Sequence, residues 1–262
     1  MIDEGKKVVL TVIPTTLCNR RCPFCFYTEQ ELLDSMVLPL HILRERVREM
    51  IDQYPDHDIV FTVYGGEVFL LPQDYLKSLY ATLLSYNPIE VVTITNGTED
   101  LPEFFKKLDK RFRIVVSYYK DNTRFKKTVL SYIADIGISR VGVNILRYKT
   151  GHREIERFLK VNNIRHGLSN STIKTKFNNT RSLLPTKVRT DEEFKKTSDS
   201  HEHSYHLFPN GTVRLSDAGL ATQVFSDLNS AIAYRRGTIQ TEEKCQTCAI
   251  RGTCPTLPVC MR

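Results

Sequence analysis

The sequence predicts an α/β fold in which strands and helices alternate about six times. Short apolar runs rich in β-branched residues recur along residues 8–169, and segments with helical spacing of apolar residues separate them. These runs are continuously apolar rather than alternating, which is typical of strands covered by helices. The turns between the elements are short. Together these observations favour right-handed βαβ units around a parallel sheet.

The predicted elements follow one another in regular order. Residues 8–17 form the first strand, because they are β-branched and show no helical period. Leu38-Pro39 introduces the first helix, since proline is favoured in a first helical turn, and the helical spacing continues to about residue 54. By the same criteria the later strands are 58–64, 90–95, 113–119, 140–146 and 165–169, and the later helices are 73–86, 102–109, 123–135 and 152–161.

The remainder of the chain differs in composition from the alternating region. Residues 172–200 are rich in Asn, Thr and Lys without a clear period, which indicates a linker or a flap over the mouth of the sheet. Asn210-Gly211 separates two strand-like runs and predicts a β-hairpin at 203–216, followed by a helix at 223–234. We therefore predict an α/β domain at 1–171, a linker or flap at 172–200 and a small C-terminal domain at 201–262.

Composition restricts the class of protein. The chain has 262 residues, a net charge of +7 and seven cysteines, three of them within residues 18–25. This usage argues against a secreted disulfide scaffold and for a reducing cytosol. No signal peptide is recognisable and no apolar run approaches the ~18–20 residues of a membrane span, so we expect a soluble cytoplasmic protein. Basic residues concentrate at 106–127 and 151–200, where they either attract a polyanion or form solvated faces.

Three cysteines directly after the first strand are the candidate metal ligands. Cys18, Cys22 and Cys25 follow a C-x3-C-x2-C spacing. Three thiolates can ligate three irons of a [4Fe–4S] cluster and leave the fourth iron open, whereas fully ligated clusters generally use four cysteines. A zinc site needs a fourth Cys or His nearby, and the next histidine, His41, opens a predicted helix. The spacing therefore favours an open cluster over zinc or a structural role.

With an aromatic residue, Phe24, before the last cysteine, this motif resembles that of the radical S-adenosylmethionine (SAM) superfamily. The resemblance implies a partial (β/α)6 TIM-like barrel whose catalytic centre is the cluster held by Cys18, Cys22 and Cys25. In that family the open iron chelates the methionine moiety of SAM, and an electron from the cluster releases a 5′-deoxyadenosyl radical that abstracts hydrogen from a substrate. The resemblance also implies an electron donor such as a flavodoxin or a ferredoxin.

Further cofactor-binding residues are expected at the ends of the next strands, where the chemistry of α/β folds gathers. Gly65, Gly66 and Glu67 resemble the Gly-Gly-Glu motif that holds the SAM amino group in this family, although the usual next proline is Val68. Alone, these three residues are equally consistent with a simple turn. The other cofactor-binding residues that the resemblance implies are Phe24, Thr95, Asn96, Ser117 and Asn144.

The last four cysteines form a second constellation, C-x2-C-x5-C-x5-C. By spacing alone a zinc ribbon is a serious alternative. Because they follow a β-hairpin, the pattern also resembles the SPASM/twitch extension of radical SAM enzymes, which implies one fully ligated auxiliary [4Fe–4S] cluster. Full ligation suits an electron conduit or a structural role. The ligands would be Cys245, Cys248, Cys254 and Cys260.

The substrate is the least determined part of the prediction. The SPASM/twitch resemblance favours oxidative modification or maturation of a peptide or protein. The basic segments at 106–127 and 151–200 support an alternative, radical modification or rearrangement of a DNA or RNA base. A third possibility is a non-enzymatic zinc-binding adaptor, which would be colourless and contain zinc but no iron.

Overall fold

A computed structural model describes residues 7–22, 25, 27, 29–33, 35–119, 121–147, 153–170, 203–215 and 224–241. The strands in these ranges are β1 (Lys7–Val12), β2 (Asp58–Val63), β3 (Glu90–Thr95), β4 (Phe112–Tyr118), β5 (Val141–Arg147), β6 (Arg165–Asn170), β7 (His203–Leu207) and β8 (Val213–Arg214). The α-helices are α1 (Glu29–Leu33), α2 (Leu40–Gln53), α3 (Gln73–Ser85), α4 (Phe125–Ile136), α5 (Arg153–Val161) and α6 (Leu228–Thr241). Of the helices described, none has the length and apolar character that a membrane span requires.

All eight strands belong to one sheet in the order β6-β5-β4-β3-β2-β1-β7-β8. Strands β1 to β6 are parallel neighbours, and a helix or helical turn crosses between consecutive strands. The sheet is open, because β6 and β8 form its two edges. The fold is therefore α/β with a mostly parallel, unclosed sheet, as expected of a partial TIM-like barrel, and the carboxyl ends of β1 to β5 lie side by side along one rim.

The helices cover one face of this sheet and form the core there. Alternate residues of the central strands are fully buried, and α3 packs its apolar side against them. Tyr80 of α3 lies edge-on to Phe105 and Phe112, with ring centroids 4.8 and 5.4 Å away, and its hydroxyl hydrogen-bonds Thr93 Oγ1. Aromatic rings of this size contribute much of the buried area of a core. This packing fixes the strands whose ends form the site.

The predicted hairpin at 203–216 is confirmed, since β7 and β8 pair antiparallel and a tight turn joins them. In this turn Gly211 has φ +81°, a left-handed conformation that favours glycine. Strand β7 also pairs parallel with β1, with Leu207 opposite Val12. No local pattern in the sequence predicts this pairing. It places a strand from the C-terminal part of the chain next to the first strand, inside the main sheet.

Three helical segments differ from the sequence-based expectation. The predicted helix at 102–109 is a short 3₁₀ helix (Glu103–Lys107), because only a few residues separate Pro102 from the turn into β4. The short α1 was not predicted. The last helix begins at Leu228 rather than near 223, since Asp227 accepts a hydrogen bond from Ser230 N at 2.7 Å, as an N-cap residue does.

Candidate active site

The segment after β1 that carries the first three cysteines, residues 13–25, is called the cysteine loop. Cys18, Cys22 and Cys25 are half-buried thiols. Cys25 N donates to Cys22 O at 3.0 Å, which closes a turn between these two residues. Arg20 N donates to Cys18 Sγ at 3.4 Å. The loop therefore presents three thiols at the carboxyl end of the first strand, where an α/β sheet places its chemistry.

Apolar side chains from several elements surround part of the loop. Cys18 and Cys25 pack in a small cluster with the side chains of Ile13, Tyr27, Leu32, Tyr64 and Phe208. Phe208 follows β7, so the C-terminal hairpin contributes to the wall of the site. A hydrophobic shell of this kind limits the access of water to a metal centre and tunes its potential.

The chemistry of the donor set fits an iron–sulfur cluster. Burial raises the pKa of the Cys22 thiol above its ordinary value, although the nearby Arg20 guanidinium reduces this shift. Within the described part of the chain, no three His, Cys, Asp or Glu side chains converge as the ligands of one metal ion. A [4Fe–4S] cluster can take three thiolates on three different irons, so three thiols on one short loop fit a cluster with one open iron.

The two glycines after β2 allow the backbone of the cysteine loop to pack closely against the end of that strand. Gly66 N donates to Thr15 O at 2.9 Å, and Glu67 N donates to Leu17 O at 2.6 Å. A Cβ atom at Gly66 would lie only 1.9 Å from Leu17 O, and one at Gly65 only 2.5 Å from Thr15 O. Larger residues are sterically excluded by the loop backbone itself. The structure thus gives these glycines a packing reason in addition to the predicted contact with SAM.

Glu67 joins the ends of β2 and β3. Its side chain is fully buried, and its carboxylate accepts hydrogen bonds from Thr95 Oγ1 (2.7 Å), Asn96 N (2.7 Å) and Phe69 N (3.1 Å). Burial nevertheless raises the pKa of Glu67. A carboxylate offers about four acceptor positions, so three donors leave room for about one more. The predicted bond to an ammonium group stays a prediction that this geometry permits.

The remaining predicted residues lie along the same rim. Asn96 donates from Nδ2 to Asn19 Oδ1 of the cysteine loop at 2.9 Å, so Thr95 and Asn96 are brought together with Glu67. Ser117 and Asn144 lie opposite each other in register on β4 and β5, the next two strands beyond β3. Ser117 is buried and Asn144 half-buried. Phe24 and the four C-terminal cysteines predicted as ligands lie outside the described residues.

The sequence gives no role in holding the loop to Asn19, Arg20 or Asp121, and it predicts Tyr119 only as a residue of the substrate cavity or the core. Asn19 hydrogen-bonds residues after β3, and Arg20 pairs with Asp121 after β4. The Arg20 guanidinium also lies over the ring of Tyr119, 4.6 Å from its centroid. Asn19 and Asn96 are 77 positions apart, and Arg20 and Asp121 are 101 apart. No local pattern connects residues at such separations.

The fold and the site together define a class of metalloenzyme, a partial α/β barrel with three cysteines at the carboxyl end of its first strand. The family model described as "Radical SAM superfamily" matches residues 12–169, more than half of the chain. The protein therefore belongs to the radical SAM superfamily and is an enzyme. Membership implies a [4Fe–4S] cluster and SAM as cofactors, and it favours an enzyme over the zinc-binding adaptor.

Solved structures share this fold at low sequence identity. SuiB of Streptococcus suis, bound to the precursor peptide SuiA, has a TM-score of 0.62 and 15% identity over 96% of this chain and 71% of that chain. Native anSMEcpe with bound AdoMet has a TM-score of 0.61 and 13% identity, and the match covers 95% of this chain and 88% of that chain. BtrN in complex with AdoMet and 2-DOIA has a TM-score of 0.52 and 14% identity, and the match covers 92% of this chain and 85% of that chain. Comparison with curated proteins gave no match.

Proposed function

We propose that this radical SAM enzyme oxidatively modifies a peptide or a protein. The observation that supports a peptide substrate is the nature of its structural neighbours. SuiB is bound to a precursor peptide, and a native anSMEcpe structure contains AdoMet and the Cp18Cys peptide at 13% identity to this chain. Because such identities establish only the fold, the substrate class is our proposal for this chain.

The roles proposed for individual residues follow from the positions along the rim. Cys18, Cys22 and Cys25 hold the cluster, which when bound and reduced supplies the electron that generates a 5′-deoxyadenosyl radical from SAM. Gly65 and Gly66 expose backbone beside the loop, and Glu67 offers a buried carboxylate to the SAM ammonium. Additional SAM contacts are proposed for Phe24, Thr95, Asn96, Ser117 and Asn144.

The part of the chain after β6 is proposed to serve electron transfer. Four cysteines, Cys245, Cys248, Cys254 and Cys260, would hold one auxiliary [4Fe–4S] cluster that accepts or relays the electron lost by the substrate radical as it is oxidised. In this proposal 1–171 carries the catalytic residues, 172–200 is a linker or flap and 201–262 is the auxiliary-cluster domain, whose strands β7 and β8 also complete the main sheet. Metal analysis of a chain in which these four cysteines are replaced by serine tests it, with a loss of about half of the bound iron expected.

The basic segment at 106–127 gives little support to the alternative, a nucleic-acid substrate. Eight of its nine Lys and Arg residues lie in the described part of the chain, and five of these eight form ion pairs with acidic side chains. Paired cations attract a polyanion less strongly than the residue count suggests. These five residues are Lys106, Arg111, Arg113, Arg124 and Lys126.

The central experiment is anaerobic reconstitution with iron and sulfide, followed by reduction and a search for 5′-deoxyadenosine. We expect product from the reconstituted chain and none from Cys22→Ser. Addition of a random-sequence peptide library should then give peptides that have lost two hydrogen atoms, detected by mass spectrometry. Binding that falls steeply with salt on duplex DNA or RNA, together with unmodified peptides, would instead favour the nucleic-acid alternative.

A further inference from the structure

Asn19 ties the cysteine loop to the segment after β3. Its Nδ2 donates to Thr98 Oγ1 at 2.8 Å and to Glu99 Oε1 at 2.9 Å, and its Oδ1 accepts from Asn96 Nδ2 at 2.9 Å. The side-chain amide has two donor hydrogens and two acceptor positions, so most of its capacity is used. The first residue after Cys18 is thereby fixed to the strand end that also contacts Glu67.

Arg20 ties the same loop to the segment after β4. The guanidinium pairs with Asp121 and stacks over the ring of Tyr119, and only 15% of the side chain is exposed. An exposed ion pair alone is weak, but a planar guanidinium that is also stacked and mostly buried holds a defined orientation. Through its backbone N–H to Cys18 Sγ, Arg20 connects this anchor to a ligand thiol.

The next residue provides a contrast within the same loop. Arg21 donates from Nη1 to Cys18 O at 2.8 Å and to Arg20 O at 3.0 Å, so these two hydrogen bonds stay inside the loop. Asn19 and Arg20 instead reach partners that follow two different strands. Two anchors at neighbouring residues restrict both the position and the rotation of the segment between the first two cysteines, which lowers its conformational freedom before any ligand binds.

We propose that Asn19 and Arg20 act together as positioning residues, the loop clamp, which sets the Cys18–Cys22 segment in its cluster-binding geometry before iron arrives. This inference rests on the proposed function only in taking Cys18, Cys22 and Cys25 as the cluster ligands. The clamp acts on the ligand cysteines rather than on substrate, since Arg20 N donates to Cys18 Sγ and the Arg20 guanidinium lies beside the Cys22 thiol. It limits the motion of the segment that carries these two thiols.

The first test measures hydrogen exchange in the apo protein by mass spectrometry, on a peptide that contains residues 17–22. We expect Asn19→Ala and Arg20→Met each to speed this exchange at least fivefold, while the urea unfolding midpoint stays near that of the wild type. Arg124→Met is the matched control, since it removes an arginine whose guanidinium pairs with Asp100 on the same rim. Wild-type exchange rates in both clamp variants would overturn the proposal.

The second test uses the reconstituted protein and the EPR spectrum of its reduced cluster, with and without SAM. We expect a broadened signal and a several-fold slower cluster assembly in both clamp variants, with partial rescue by Arg20→Lys, which keeps the charge but not the planar stack. Spectra and assembly rates equal to those of the wild type would contradict the clamp. If the wild-type protein assembles its cluster but modifies no peptide, only the proposed function is contradicted. The hydrogen-exchange and EPR measurements test the loop clamp independently of that result.

Discussion

At the scale of single residues, the ends of β1 and β2 meet through backbone atoms rather than side chains. Gly66 N and Glu67 N donate to carbonyls of the cysteine loop, and these contacts leave no space for a Cβ atom at Gly66. The carboxylate of Glu67 then connects the end of β2 to the end of β3 by accepting hydrogen bonds from Thr95 and Asn96. The position of the thiols thus depends on residues that carry no thiol.

Replacing Gly66 by alanine should destabilise the protein. Its Cβ would lie 1.9 Å from Leu17 O, so the loop must move, and overpacking of this kind costs about 1–3 kcal/mol. Urea unfolding of the apo protein measures the loss. Gly142→Ala is the matched control, because its Cβ would meet its nearest atoms at 3.7 Å, an ordinary contact, and should change stability by no more than about 0.5 kcal/mol. Equal effects of the two substitutions would refute this packing argument.

The pKa of Glu67 predicts a pH dependence of stability. Burial raises this pKa above the ordinary value of 4.5, so the folded chain keeps the proton to a higher pH than the unfolded chain does. The contribution of Glu67 to the free energy of unfolding therefore falls as pH rises from about 4.5 through the folded pKa. Glu67→Gln lacks this titration.

We expect the stability of the wild type minus that of Glu67→Gln to decrease over this pH range, measured by urea unfolding at several pH values. A difference that grows with pH would show that the three hydrogen-bond donors outweigh burial and lower the pKa instead.

At the scale of elements, α2 anchors the C-terminal helix. Arg46 of α2 is buried, pairs with Glu49 and donates to Ser226 O at 3.2 Å. Glu49 also accepts from Leu228 N at 2.8 Å, at the start of α6. A single carboxylate whose side chain is only 14% exposed therefore neutralises an arginine and caps a helix that is about 180 positions away in the sequence.

Glu49→Gln should be costly and Glu45→Gln should not. Removing one partner of a buried ion pair leaves the other charge without full compensation and costs about 3 kcal/mol. Glu45 also pairs with Arg46, but its side chain is 56% exposed, so its loss should cost at most about 0.5 kcal/mol. Thermal or urea unfolding of the two variants gives the comparison. Similar losses for both would mean that the burial of Glu49 does not decide the effect.

At the scale of the whole molecule, the first strand pairs with a strand from the C-terminal part of the chain inside one sheet. Strand β1 lies between β2 and β7, and Leu10 and Val12 are fully buried there. Without β7 the apolar strand β1 would become an unprotected edge, which promotes aggregation. The catalytic part of the chain is therefore not expected to be stable without the hairpin.

A chain that ends at residue 200 should fail to fold cooperatively, whereas one that ends at residue 241 should fold. The shorter chain lacks β7, β8 and α6, while the longer chain keeps all eight described strands. Size-exclusion chromatography and urea unfolding followed by circular dichroism distinguish the two. Cooperative unfolding of a monomeric 1–200 chain would show that the predicted domain at 1–171 is autonomous despite this pairing.

The sequence alone determined the features that depend on near neighbours. The strand–helix alternation follows from local apolar patterns, and β3 agrees with its predicted bounds, 90–95. The spacing of Cys18, Cys22 and Cys25 indicated the family for a similar reason, because the three ligands of one cluster lie on one short loop. The order of the motifs at successive strand ends then followed from the topology of βαβ units.

Only the tertiary structure decided which distant residues meet. The pairing of β7 with β1, the bonds from Thr95 and Asn96 to Glu67 and the loop clamp join residues that are far apart in sequence. Single polar residues such as Asn19 and Asp121 have no periodicity, and their partners are set by how the strand ends line up along the rim. The sequence identifies the three cysteines, but the positions of their thiols are fixed by contacts that form only when the sheet is assembled.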